Sequence, residues 1–151
     1  MSSPSPSPNK RIYLAGPMQG YPQFNFPRFN AVTKAFRQGG HEVFNPAEKD
    51  IERHDGVDIS ADNPTGNLEA SKVQHGFSLR RALAEDLHYI CESATAIAML
   101  PGWEKSNGAQ AEHRTAVALQ SEGMEIVYLT VEICEMMELA AAVVSEASYA
   151  K

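Results

Sequence analysis

Leu100-Pro101-Gly102-Trp103-Glu104-Lys105-Ser106-Asn107-Gly108-Ala109-Gln110-Ala111-Glu112 is the stretch whose reading decides the fold. An apolar run, Ala94 to Leu100, leads into it and reads as a buried parallel strand. Ala109 to Gln120 reads as a helix. Between them lies a turn of Pro, Gly, Ser and Asn. That order leaves free backbone N–H groups at the helix start, where an anion is favoured. In open α/β sheets, ligands bind at such strand ends. Glu112 shares one helical stripe with Ala109, Ala116 and Leu119, at steps of three and four. The stripe is expected to face the sheet, where a carboxylate is costly unless paired or used. Spacing alone leaves two readings open: a functional acid, or a structural Glu favoured by the helix N-terminus.

Working outward, Arg11-Ile12-Tyr13-Leu14-Ala15 is a short β-type run stopped by Gly16-Pro17-Met18-Gln19-Gly20. The turn lacks the three-glycine dinucleotide fingerprint. Phe24-Asn25-Phe26-Pro27 opens a helix with Asn25 as N-cap, an apolar stripe of Phe29, Val32 and Phe36, and a stop at Gly39-Gly40. His41 to Phe44 is a second strand, ended by Asn45-Pro46. Ala47 to Gly76 is polar and without sustained period, and is expected to be a functional lid or mobile insertion. Its His54, Asp55, Asp58 and Asp62 read more readily as a solvated acidic loop than as a metal site.

Phe77 to Cys91 is a helix with Ser78 as cap and Leu79, Leu83, Leu87 and Ile90 as its apolar face. Asp86 falls on or beside that face, either as a salt-bridged edge residue or as a second functional acid. Arg80 and Arg81 can hold a phosphate or simply be solvated. Glu125 to Leu129 is a fourth strand, and a final helix packs through Ile133, Met136, Met137, Ala140, Val143 and Val144. The alternation of strands and helices predicts an α/β fold. It is a three-layer sandwich with a short parallel sheet of four to five strands.

The 151 residues suffice for one domain over 10–151 with a real core. A net charge of −6 and the lack of a basic stripe argue against duplex nucleic acid as partner. No apolar run is long enough to span a bilayer, so no membrane partner is expected. Met1 to Asn9, Ser/Pro-rich without an apolar core, reads as a disordered tail rather than a signal peptide. Cys91 and Cys134 follow no metal or redox spacing and read as small core residues in a reducing cytoplasm.

No G-x-S-x-G elbow, P-loop or zinc-protease helix is present, and Ser106 has no evident His/Asp partners. Carboxylate chemistry remains. A Glu and an Asp can cleave a glycosidic bond, one attacking the anomeric carbon and the other handling protons. A Tyr13 hydroxyl can orient the attacking Glu. The helix start with Ser and Gly can seat a phosphate. Trp103 either stacks on a base or half-packs in its loop. This chemistry calls for no metal and no cofactor.

These residues resemble the nucleoside 2-deoxyribosyltransferase superfamily, which includes deoxynucleoside monophosphate N-glycosidases. The resemblance rests on Tyr13 in Ile12-Tyr13-Leu14-Ala15-Gly16-Pro17, Asp86 in Glu85-Asp86-Leu87, and Ser106 to Glu112 with trailing Ala116-Val117-Ala118. Further pieces are similar to a phage-associated branch. They are the Gly16-Pro17-Met18 turn, Asn25-Phe26-Pro27 with Phe29-Asn30, Gly40-His41-Glu42-Val43 with Asn45-Pro46-Ala47-Glu48, and Leu100 to Ser106. Arg11 to Leu129 is covered. The resemblance implies a flavodoxin/Rossmann-like fold and a homodimer or higher homo-oligomer with sites near subunit contacts. It implies Glu112 as nucleophile on C1′, Asp86 assisting at the base, Tyr13 holding Glu112, and Ser106 and Gly108 at the 5′-phosphate.

The expected substrate contacts are Gly16, Pro17, Met18, Asn25, Trp103, Ser106, Gly108 and Arg81. The expected activity is hydrolysis of the base–sugar bond of a (deoxy)nucleoside 5′-monophosphate, in the cytoplasm. The alternatives are base exchange and non-catalytic nucleotide sensing. Four departures stand out: Gln110 where hydrolase relatives often carry glycine, His113-Arg114 where a small residue is usual, no match to the transferases' second Asp, and no counterpart to 47–76.

Overall fold

The computed structural model describes residues 9–149; of the expected tail over Met1 to Asn9, Met1 to Pro8 lie outside them, as does the side chain of Val144. Four strands and six α-helices lie within these residues. They are β1 (Arg11–Ala15), α1 (Phe26–Gln38), β2 (Glu42–Phe44), α2 (Pro46–Arg53), α3 (Leu68–His75), α4 (Leu79–Glu92), β3 (Ala96–Met99), α5 (Asn107–Ala118), β4 (Glu125–Tyr128) and α6 (Val131–Tyr149). All strand pairs are parallel, in the order β2-β1-β3-β4. This is the flavodoxin-like order with four strands. Helices α1 and α6 pack together, as do α4 and α5.

The two-residue period of the strands divides the core. Ile12, Leu14, Ala96, Ala98 and Val127 pack with α1 residues Phe29, Val32 and Phe36 and with Cys134 of α6. Tyr13, Ala15, Ile97 and Met99 pack on the other face with Ile90 of α4 and Ala109 and Ala116 of α5. Both faces are therefore dry, which is why β1 and β3 read as unbroken apolar runs. Alternation also sends the Tyr13 side chain toward α4 and α5.

Segment 47–76, expected as a lid or mobile insertion, folds into two short helices. Asn45 is the N-cap of α2, its Oδ1 accepting from Ala47 N at 2.9 Å, with Pro46 in the first turn. Asn67 caps α3 by accepting from Ala70 N at 3.1 Å. The connecting stretch is tied down. Gly20 N donates to Gly66 O at 2.8 Å and Gln23 N to Asn63 O at 3.2 Å, while Ile59 is fully buried in the core. Gly66, at φ +67°, lies so close that a Cβ there would meet Tyr21 O at 2.2 Å. The expected acidic-loop residues serve this packing. Asp58 accepts from Ser60 N and Oγ, and Asp62 lies 3.3 Å from His75 Nε2.

Three further expectations are corrected. Cys91 is exposed, because the buried stripe of α4 runs through Ala82, Asp86 and Ile90. Leu79 is half exposed for the same reason. Among the described side chains of α6, Cys134 and Ala141 are buried and Ile133 and Met137 pack on the core as expected, whereas Met136, Ala140 and Val143 face outward with Leu139. Among the described residues no helix is long and apolar enough to cross a membrane.

Candidate active site

The chain leaves β1 toward β2 on one side and β3 lies on the other, so the sheet's switch point falls between β1 and β3. The turns after these strands meet there. A Cβ on Gly16 would sit 2.7 Å from Leu100 Cβ, so glycine is what lets the two turns touch. A cavity of about 560 Å³ opens beside them, lined by both turns, α4, the start of α5 and the 47–76 segment. Its volume suits a small-molecule ligand.

The neighbouring turn is strained. Gln23, Phe24 and Asn25 have φ of 54°, 54° and 62°, a left-handed run costing about 1–2 kcal/mol per residue. Burial of Phe24 and a hydrogen bond from Asn25 Nδ2 to Pro17 O at 3.0 Å hold it. Asn25 therefore does not cap α1 with its side chain, as expected from sequence, nor does it line the cavity. It braces the Gly16-Pro17-Met18 turn, which does.

Three residues from separate elements converge inside. Glu112 of α5 and Asp86 of α4 are both buried and both line the cavity. Tyr13 of β1 is fully buried, and its hydroxyl donates to Glu112 Oε2. The same hydroxyl is close enough to Asp86 to stabilise that carboxylate as well. Its ring is held by Phe44, at 5.3 Å between centroids, and by Tyr89, at 6.5 Å. Burial, and then the charge of Asp86, push the Glu112 carboxyl well above its ordinary range, while the Tyr13 hydrogen bond pulls it back. Burial lifts Asp86 to about 6, against the opposing pull of Arg53. Two neighbouring carboxyls that both resist ionisation titrate as a pair.

Beside Asp86 stands a cation absent from the sequence expectations. Arg53 of α2 sends Nη1 to Asp50 Oδ1 at 2.5 Å, Nε to Glu85 Oε2 at 2.5 Å and Nη2 to Asp86 Oδ1 at 3.3 Å. Asp50 is buried, lines the cavity, and is raised by burial to about 7 despite Arg53. The helical i,i+3 spacing of Asp50 and Arg53 was a readable signal. Their meeting with α4 was not.

The start of α5 also lines the cavity. Ser106 caps the helix, its Oγ accepting from Ala109 N at 3.2 Å. The N–H groups of Asn107 and Gly108, both in the cavity wall, have no intrahelical acceptor. Lys105, absent from the sequence expectations, lines the cavity as well. An anion is favoured here by charge and by free donors.

Tyr13, Asp86, Glu112, Gly16, Pro17, Met18, Ser106 and Gly108 are thus brought together. Arg81 is not: it is exposed and donates to Glu85 Oε1 at 3.1 Å, away from the cavity. Trp103 is not either. Its ring lies 4.2 Å from that of His113 and 6.0 Å from that of Tyr128, outside the cavity lining. His113 hydrogen-bonds Tyr128 Oη at 2.7 Å, and neither His113 nor Arg114 lines the cavity. The apolar walls supplied by Ile59 and Leu68 were missed, because 47–76 carries no period that predicts which residues face inward; Phe77, which also lines the cavity, reads from sequence only as the start of the next helix. Among the described residues no cluster of His, Cys, Asp and Glu is arranged to hold a metal ion.

Fold and site together define a flavodoxin-like α/β protein with a ligand cavity at its switch point and a buried carboxyl pair inside it. The chain belongs to the family described as a domain of unknown function, DUF4406, whose model matches residues 10–128. No curated protein and no solved structure matches it.

Proposed function

We propose that the protein is an N-glycosidase of nucleoside 2-deoxyribosyltransferase-like descent that hydrolyses the base–sugar bond of a (deoxy)nucleoside 5′-monophosphate. The observation that carries this reading is the Tyr13 hydroxyl placed against Glu112 and beside Asp86, inside a cavity also lined by a helix start that favours an anion. The phosphate sits at the N-terminus of α5 with Ser106, Gly108 and Lys105. The sugar C1′ lies over Glu112.

Burial favours the protonated form of Glu112, yet attack needs its carboxylate. Passage of that proton to Asp86 across Tyr13 Oη readies both acids at once. A Glu112 oxygen then bonds to C1′ as the C1′–N bond breaks, and the departing base nitrogen takes the proton from Asp86. Water next attacks C1′ and the ester bond breaks, returning its electron pair to Glu112. Asp86 takes the proton from water. The products are free base and a sugar 5-phosphate.

The reading includes a homodimer. Met136, Leu139 and Val143 are 70%, 68% and 56% exposed along one side of α6, an apolar row that a second copy would cover.

Chromatography of purified protein incubated with a panel of ribo- and deoxyribonucleoside monophosphates tests the activity through release of free base. Glu112→Gln should abolish release while nucleotide still raises Tm. Base release that survives in Glu112→Gln removes the nucleophile from the scheme. Addition of a second base separates hydrolysis from base exchange. One observation favours a non-catalytic nucleotide sensor instead: both acids are held toward their neutral forms. Stabilisation by nucleotide without any turnover would establish that alternative.

A further inference from the structure

We propose that Arg53, delivered by the 47–76 segment, is the positioning residue of the acid pair: its guanidinium fixes the orientation and charge of Asp86 from behind the cavity wall. The inference rests on the glycosidase reading for the role of Asp86. Its geometry is independent of that reading. Arg53 is the cation paired with Asp86, and each of its three nitrogens serves a different carboxylate. The Arg53 side chain is 9% exposed and those of Asp50 and Asp86 are 6% and 11% exposed, so little water screens these two pairs, whereas Glu85 at 42% is open to solvent.

The groups facing this guanidinium are Asp50 on its own helix and Glu85 and Asp86 on α4. Arg81 draws on Glu85 from outside, and His54 is held by the Asp50 carbonyl oxygen at 2.6 Å. On its other side Asp86 faces Tyr13 and Glu112. Asp86 is therefore set between a cation and a proton-sharing pair. Two anchors, Asp50 and Glu85, fix the plane of the guanidinium, and the third nitrogen is left for Asp86. A planar fork can do this; a lysine ammonium cannot serve three carboxylates in the same geometry. Removal of Arg53 leaves the Asp86 carboxylate buried beside Glu112 without a counter-charge, which makes it a weaker acid and frees its rotamer.

Carbon-detected NMR of protein labelled with ¹³C-aspartate follows the Asp86 carboxyl through pH in the wild type, Arg53→Lys and Arg53→Met. Asp86→Asn assigns the resonance. The expected result is an upward move of the Asp86 midpoint by about one pH unit or more in Arg53→Met, with Arg53→Lys in between. The alkaline limb of the kcat profile for base release should move up with it. The plateau kcat should fall about tenfold and KM stay near the wild-type value. A midpoint and alkaline limb that match the wild type in Arg53→Lys and Arg53→Met overturn the inference, and if Arg53→Met does not fold, Arg53→Lys decides alone. A midpoint that moves in a protein whose wild type releases no base from any nucleotide overturns the glycosidase reading and leaves the coupling of Arg53 to Asp86 standing.

Discussion

Asp50→Asn should make the protein more stable as pH rises, and the size of the effect follows from the site. Asp50 is buried against the cavity, and desolvation lifts its carboxyl from 3.8 to about 7 although Arg53 is 2.5 Å away. The folded protein thus binds this proton more tightly than the unfolded chain. The stabilisation it provides is fully present below about pH 4 and is lost as pH rises to about 7. The shift spans about three pH units, worth about 4 kcal/mol at 1.36 kcal/mol per unit.

Asparagine has nearly the shape of a protonated aspartate and does not titrate. The variant should match the wild type near pH 4 and exceed it by about 4 kcal/mol near pH 8. Repulsion from Asp86 is one of the causes of that shift, so its relief is already contained in this figure. Urea denaturation followed by circular dichroism at about pH 4.5, 6 and 8 measures the difference between the two proteins. An advantage that does not grow with pH, or a variant less stable than the wild type near pH 8, would refute the electrostatics described for this cavity. The gain would be large beside the usual 5–15 kcal/mol of total stability, as expected where a site carries costly acids for a purpose.

Two other outcomes are expected. Tyr13→Phe keeps the ring packing against Phe44 and Tyr89 but removes the donor to Glu112, a charge-assisted hydrogen bond worth about 1.5–3 kcal/mol. Steady-state kinetics of base release should show kcat lower by about 10- to 150-fold with KM little changed; an unaltered kcat would remove Tyr13 from the mechanism. Met136→Asp places a charge in the exposed apolar row of α6 and should shift sedimentation from dimer to monomer; a wild type that sediments as a monomer refutes the dimer directly.

Much of the fold is written locally. The strands over 11–15 and 96–99 are apolar on both faces, and Ser78 caps its helix where the sequence places a cap. Parallel alternation follows from the order of these pieces. Glu112 and Asp86 are legible because each is an acid on an otherwise apolar helical stripe, a conflict that one chain segment displays by itself. Tyr13 is legible through the apolar strand that carries it.

Tertiary structure decided the rest. Arg53 and Asp86 are 33 positions apart, and nothing in either helix specifies that the two will meet. Arg81 carries the same charge at a suggestive spacing, yet its rotation about α4 turns it to solvent. Trp103 looks like a base platform in its loop and is instead packed against His113. The polar 47–76 segment carries too few apolar residues to show a period, so its burial was readable only once the Gly20 and Gly66 backbones were in contact. Local pattern fixes which face of an element is apolar. Which distant partner that face meets is set by chain closure over long sequence separations, and that information is held jointly by the packed elements.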